Sequence, residues 1–336
     1  MRRLPLGIPS AEMLTLNERI KHLDSLRFIA LLGVFVETYW LFFQPHDAAN
    51  VAHALGAAGL NLLFVLSGYL TCRSLLARFS ARGGMSKEGL TQFYVRRLAR
   101  IAPVCLIAGM LYLVCASVVG PVTHLWTIAL QVSFMLVLPL ALAHLRLPLV
   151  AISLVCLIAA GPVLSNSPYV VAAEFVALGS FLSILQAHSA KWFTSYSTFF
   201  AGAGAVILVA YFLRAAIHGE SSTAMLQVCL PLIVFGLANT KSPAVLGMLD
   251  KPWLRYLGSM SLGLYAYHSL CVHATHQVLQ RTATEIPVVG EIAISSFLTL
   301  AIAAVSWHWL ERTPPEEQQV PAIVRGGREA SQITVG

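Results

Sequence analysis

Apolar runs of about twenty residues, parted by short polar links, recur along almost the whole of this sequence. A helix needs roughly 20 residues to cross a bilayer. Hydrocarbon offers no partner to a free N–H or C=O, so each such run must pair its own backbone as a helix. Approximate cores fall at 26–43, 54–76, 98–119, 124–143, 148–164, 170–187, 196–214, 224–238, 257–279 and 290–310. The links carry the expected breakers, among them Gln44-Pro45-His46-Asp47, Gly120-Pro121, Ser165-Asn166-Ser167-Pro168 and Ile217-His218-Gly219-Glu220. The expected fold is all-α: a polytopic membrane helical bundle of about ten transmembrane helices. Only 11% of residues are charged and 57% are hydrophobic, whereas soluble domains carry about 25% charge. No separate soluble domain is expected. Residues 1–22 read as a cytoplasmic N-terminal segment, 23–314 as the membrane domain, and 315–336 as a disordered cytoplasmic tail.

The net charge of +7 follows from where the cations lie. Lys and Arg concentrate in 1–27, 73–100 and 312–328, and Arg146, Lys191, Lys241 and Lys251 sit in further alternate links. Cytoplasmic loops carry such an excess. With an even number of spans, both termini and the 77–97 loop then fall on the cytoplasmic side, and nucleic-acid binding is not needed to explain the charge. Cys72, Cys105, Cys115, Cys156, Cys229 and Cys271 lie mostly in apolar runs without close pairing. They read as small buried hydrophobes, with no metal or disulfide spacing. The start, Met1-Arg2-Arg3-Leu4-Pro5, is followed by polar residues and is not read as a secretory signal.

Ionisable groups inside such runs are costly and are functional candidates by default. Arg27 opens the first run, and Glu37 and Thr38 lie well inside it. Eleven residues turn a helix about 20° beyond three turns, so Arg27 and Thr38 share a face ~16 Å apart. That face could hold the anionic part of a long substrate at one end and meet its far end at the other. Arg27 could equally be a headgroup anchor, and Asp24 could cap the helix or pair with it. Glu37 must face a cavity, find a partner or stay protonated. It lies about 100° around the helix from Thr38.

In the second run, Asn61-Leu62-Leu63-Phe64-Val65-Leu66-Ser67-Gly68-Tyr69-Leu70-Thr71 offers Ser67 as a hydrogen-bonding group and Gly68 for close helix approach. It reads as a packing seam or as substrate contact. The stretch Gln92-Phe93-Tyr94-Val95-Arg96-Arg97-Leu98-Ala99-Arg100-Ile101-Ala102-Pro103 brings Arg96, Arg97 and Arg100 to a membrane entrance. Guanidinium forks bind phosphate bidentately, though the three could also anchor anionic lipid. Gln131 lies in His124-Leu125-Trp126-Thr127-Ile128-Ala129-Leu130-Gln131, and His268 ends Leu257-Gly258-Ser259-Met260-Ser261-Leu262-Gly263-Leu264-Tyr265-Ala266-Tyr267-His268. His268 could orient substrate or take a proton, or serve as a hydrogen-bonded structural residue. The close, Trp307-His308-Trp309-Leu310-Glu311-Arg312-Thr313-Pro314, reads as an aromatic belt with an interfacial ion pair.

Taken in order from Leu23 to Pro314, these segments resemble the integral-membrane acyltransferase-3 family. The resemblance implies transfer of an acyl group, usually acetyl, from cytosolic acetyl-CoA or another acyl-CoA onto a hydroxyl of a carbohydrate or glycolipid acceptor. No metal is implied, the setting is the plasma (bacterial inner) membrane, and membrane lipids surround the protein. Arg27, Ser67, Arg96, Arg97 and Arg100 are expected at the donor, with Glu37, Thr38, Gln131 and His268 around the acyl end. The family places a histidine at position 38 and a glutamate at 131, where this chain has Thr38 and Gln131. Neither can act as a base near pH 7. A weakened or inactive enzyme is therefore expected, the alternatives being a silent member that binds acyl-CoA or acceptor, or a transporter reusing the fold.

Overall fold

The structure is a computed structural model that describes residues 20, 22–43, 49–82, 87–114, 125–144, 147–164, 167–219, 221–282 and 286–311. The N-terminal segment before residue 20, the tail after Glu311 and links such as 115–124 lie outside the described residues, and with them the readings made there. Each expected apolar run becomes a helix: α1 His22–Phe43, α2 Ala49–Arg82, α3 Lys87–Val114, α4 Leu125–His144, α5 Leu147–Leu164, α6 Pro168–Ser195, α7 Ser197–His218, α8 Thr223–Ala238, α11 Ser261–Arg281 and α12 Val288–Ser306. Two short helices, α9 Pro243–Leu249 and α10 Pro252–Ser259, intervene, and a π-turn Trp307–Glu311 closes the bundle. The described residues contain no strand.

Seven of these helices are long and apolar enough to cross a bilayer, or eight if α8 and α9, bent by 102°, count together. Among the described residues, α5, α8 and α11 are the expected runs that fall outside the seven. α5 is apolar along its length but has only 18 residues, Leu147–Leu164. α11 carries His268, His273 and His276 and is correspondingly polar. The expected ninth run also divides: α10 ends at Ser259 and α11 begins at Ser261, leaving Met260 as a buried joint. The outer surface carries many large apolar side chains. Leu113 is 78% exposed, Val206 70% and Phe297 74%. Side chains of this kind face lipid where polar ones would be desolvated.

α1 and α2 form the centre. One core cluster joins them to α6, α7 and α8, and a second joins α1 to α3, α4, α11 and α12 through Leu31, Val104, Ile128, Leu264 and Ala303. Hydrocarbon solvates leucine as well as protein does, so close backbone packing must supply the attraction between such helices. Gly68 and Gly179 meet this need reciprocally. A Cβ on Gly68 would overlap the Val176 carbonyl, and one on Gly179 the Val65 carbonyl. This seam sets α2 against α6. It leaves a flank of α2, with Leu60, Leu63 and Ser67, facing α1, α3, α4 and α11.

Candidate functional site

Two cavities lie along α1. The first, about 140 Å³, is lined by Arg27, Ser67, Arg97, Arg100, Gln131 and Thr127 among others. The second, about 350 Å³, takes in Glu37, Thr38, Phe42, His268, Ser269 and His273. Leu60 and Tyr265 line both and so form the wall between them. The face of α1 running from Arg27 to Thr38 thus passes along both cavities, as the eleven-residue spacing requires.

The arginine end is held in place by its own counter-groups. Arg27 Nη1 lies 3.3 Å from Asp24 Oδ1, one turn earlier on α1. Arg97 Nη1 donates to Thr71 Oγ1 at 3.5 Å, and its guanidinium lies 5.5 Å from the Phe93 ring centre. Arg100 donates from Nη2 to the Ser259 carbonyl at 2.9 Å and lies 5.0 Å from the Trp307 ring centre. Its Nε is 3.8 Å from Glu311 Oε2. The closing motif therefore supplies a partner to α3 across the bundle. Glu311 is fully buried, reached through the π-turn, and also accepts from Ser306 Oγ at 3.2 Å. Three guanidinium groups line this one concavity, and guanidinium forks are suited to anions.

At the wall, Tyr265 OH and Thr127 Oγ1 are hydrogen-bonded at 2.7 Å, joining α11 to α4. Beyond it lies the histidine end. His268 Nδ1 is 2.7 Å from the Tyr265 carbonyl. A carbonyl only accepts, so Nδ1 donates to it, and Nε2 points towards α1. That Nε2 lies 3.3 Å from Thr38 Oγ1, which also lies 3.0 Å from the Val34 carbonyl. Phe35 stacks on the imidazole with ring centres 5.0 Å apart, and His268 is buried. Glu37 finds a partner instead of staying alone in hydrocarbon. Its Oε1 lies 2.9 Å from His53 Nδ1 on α2. Gly56, one turn further along α2, gives the carboxylate room that any Cβ would fill.

Of the residues singled out in the sequence, the first cavity gathers Arg27, Ser67, Arg97, Arg100 and Gln131, and the second Glu37, Thr38 and His268. Arg96 is the exception: its side chain is exposed and lines neither cavity. It sits about 100° around α3 from Arg97. The sequence reading did not single out the two residues of the wall or His53. Tyr265 and Thr127 carried a signal, since they stand three and four residues before His268 and Gln131 and share their faces. For Leu60 and His53 the local sequence offers none.

The arrangement defines a polytopic helical membrane protein with a cationic cavity and a histidine-bearing cavity back to back. It belongs to the acyltransferase-3 family: the family's sequence profile, described as an acyltransferase domain, matches residues 20–308. Comparisons with curated proteins and with solved structures returned no match.

Proposed function

We propose that this membrane acyltransferase moves an acyl group, acetyl foremost, from acyl-CoA onto a hydroxyl of a carbohydrate or glycolipid. The observation that carries the reading is the shared wall: an anion-binding cavity and a cavity with a proton acceptor meet at Leu60 and Tyr265. Acyl-CoA is anionic at its phosphates and reactive at the opposite tip. Arg27, Arg97 and Arg100 hold the phosphates, Ser67 and Gln131 contact the pantetheine side, and the thioester reaches the wall. The hydroxyl approaches from the histidine end. Both limits of the described domain support the topology. The start of α1, with Asp24 and Arg27, and Glu311 beside Arg100 lie at the same end. That end carries the clustered cations and is cytoplasmic by the positive-inside rule, where acyl-CoA is found, with the protein in the plasma membrane. Protein purified into nanodiscs and given acetyl-labelled acetyl-CoA with an oligosaccharide acceptor is expected to bind the donor and release labelled ester. Protein that binds no acetyl-CoA would overturn the reading. Counterflow of label without ester would mark a transporter.

A further inference from the structure

We infer that Glu311 is a positioning residue for the donor: from behind, it holds the Arg100 guanidinium at the first cavity, where the phosphates of acyl-CoA bind. The inference rests on the functional reading above. Of the three arginines that line this cavity, Arg27 has Asp24 and Arg97 has Phe93 on its own helix. Arg100 is held from elsewhere in the chain. Its Nη2 donates to the Ser259 carbonyl at 2.9 Å, its guanidinium lies 5.0 Å from the Trp307 ring centre, and its Nε lies 3.8 Å from Glu311 Oε2. Trp307 and Glu311 open and close the π-turn, so this one turn brings both of them to Arg100. A long arginine side chain at a membrane entrance otherwise reaches out to the headgroups.

The setting of the carboxylate makes it the firmest of these contacts. Arg100 lines the first cavity and Glu311 lines neither, so the carboxylate leaves the cavity to a ligand. The Glu311 side chain is fully buried. Its Oε1 accepts from Ser306 Oγ at 3.2 Å, and a Cβ on Gly263 of α11 would come within 3.1 Å of the same oxygen. Its Oε2 has no hydrogen-bond partner among the described residues, and there Arg100 is its ion-pair partner. A buried carboxylate left without its counter-charge is strongly unfavourable. Withdrawal of Arg100 towards the headgroups would strand that charge, so the carboxylate keeps the guanidinium in place while the cavity is empty. The donor then meets a cation that is already oriented, and less ordering is left to be done on binding.

The test uses the full-length protein in nanodiscs and measures binding of two donors by calorimetry. One is acetyl-CoA; the other is acetyl-pantetheine, which has the same thioester without the phosphates. Glu311→Gln keeps the volume and removes the charge. It is expected to weaken acetyl-CoA binding about tenfold, the lower end of the cost of one charged hydrogen bond, and to leave acetyl-pantetheine binding unchanged. In an Arg100→Ala background the same substitution should weaken acetyl-CoA binding no further. A residue that only held helices together would affect both donors alike and would add to Arg100→Ala. Ser306→Ala removes a hydrogen bond to the carboxylate and no charge, and should weaken acetyl-CoA binding about twofold. Unchanged or tighter acetyl-CoA binding by Glu311→Gln overturns the inference, as does a loss of the same size in the Arg100→Ala background. Should Glu311→Gln not fold, an unchanged dissociation constant in Ser306→Ala overturns it. Wild-type protein that binds no acetyl-CoA overturns the functional reading beneath it.

Discussion

The two ends of the bundle share α1, α2 and α11 but are built by different means. At the arginine end two of the three cations bring a counter-group from their own helix, Asp24 for Arg27 and Phe93 for Arg97, and only Arg100 draws on a distant one, Glu311. At the histidine end the groups arrive from distant stretches of chain. Thr38 meets His268, and Tyr39 OH lies 2.9 Å from Ser296 Oγ on α12. Binding a long polyanion needs charge density, which neighbouring residues on one helix can supply. Placing one proton acceptor to within a fraction of an ångström needs several helices packed together.

If this division holds, substitutions at the two ends should separate affinity from rate. The largest effect expected on donor affinity is from Arg97→Ala. Losing one charged hydrogen-bond donor weakens binding by about 1.5–3 kcal/mol, roughly 10–150-fold in the acetyl-CoA dissociation constant by calorimetry, with the rate at saturation little changed. An unaltered dissociation constant would mean that the first cavity is not the donor site.

At the wall the expected effect is on selectivity. Leu60→Ala removes bulk between the cavities without touching a charge. One methylene in an apolar pocket is worth about 1–3 kcal/mol of discrimination. The preference for acetyl-CoA over butanoyl-CoA, as a ratio of kcat/KM, should therefore fall about tenfold. If the ratio stays put, the acyl group does not pass between Leu60 and Tyr265.

The smallest effect is expected from Arg96→Ala. Arg96 is exposed, and an exposed charge contributes about 0–1 kcal/mol, at most about fivefold in donor affinity. A loss matching that of Arg97→Ala would show that all three arginines of α3 reach the ligand.

Much of this was legible in the sequence. Runs of twenty apolar residues leave a chain in lipid no structure but helices, and the periods of Arg27 with Thr38 and of Arg97 with Arg100 follow from helix geometry alone. What local sequence does not contain is how one helix is turned against another. Arg96 and Arg97 are adjacent and chemically alike, and only the packing of α3 decides which faces the cavity. Glu37 looked costly because its partner, His53, belongs to the next helix. Likewise α11 sets His268 beside Thr38, a contact between residues too far apart in the chain for any short-range pattern to reveal.

The account turns on donor binding at one end and proton transfer at the other. The most direct measurement compares Arg97→Ala and His268→Gln, side by side in nanodiscs, for acetyl-CoA dissociation constant and for transfer rate at saturating donor. The expected result is a crossed pair: Arg97→Ala loses affinity and keeps its rate, and His268→Gln keeps affinity and loses its rate. If both variants lose the same quantity, or if neither changes, the two cavities do not divide the reaction between them and the account is wrong.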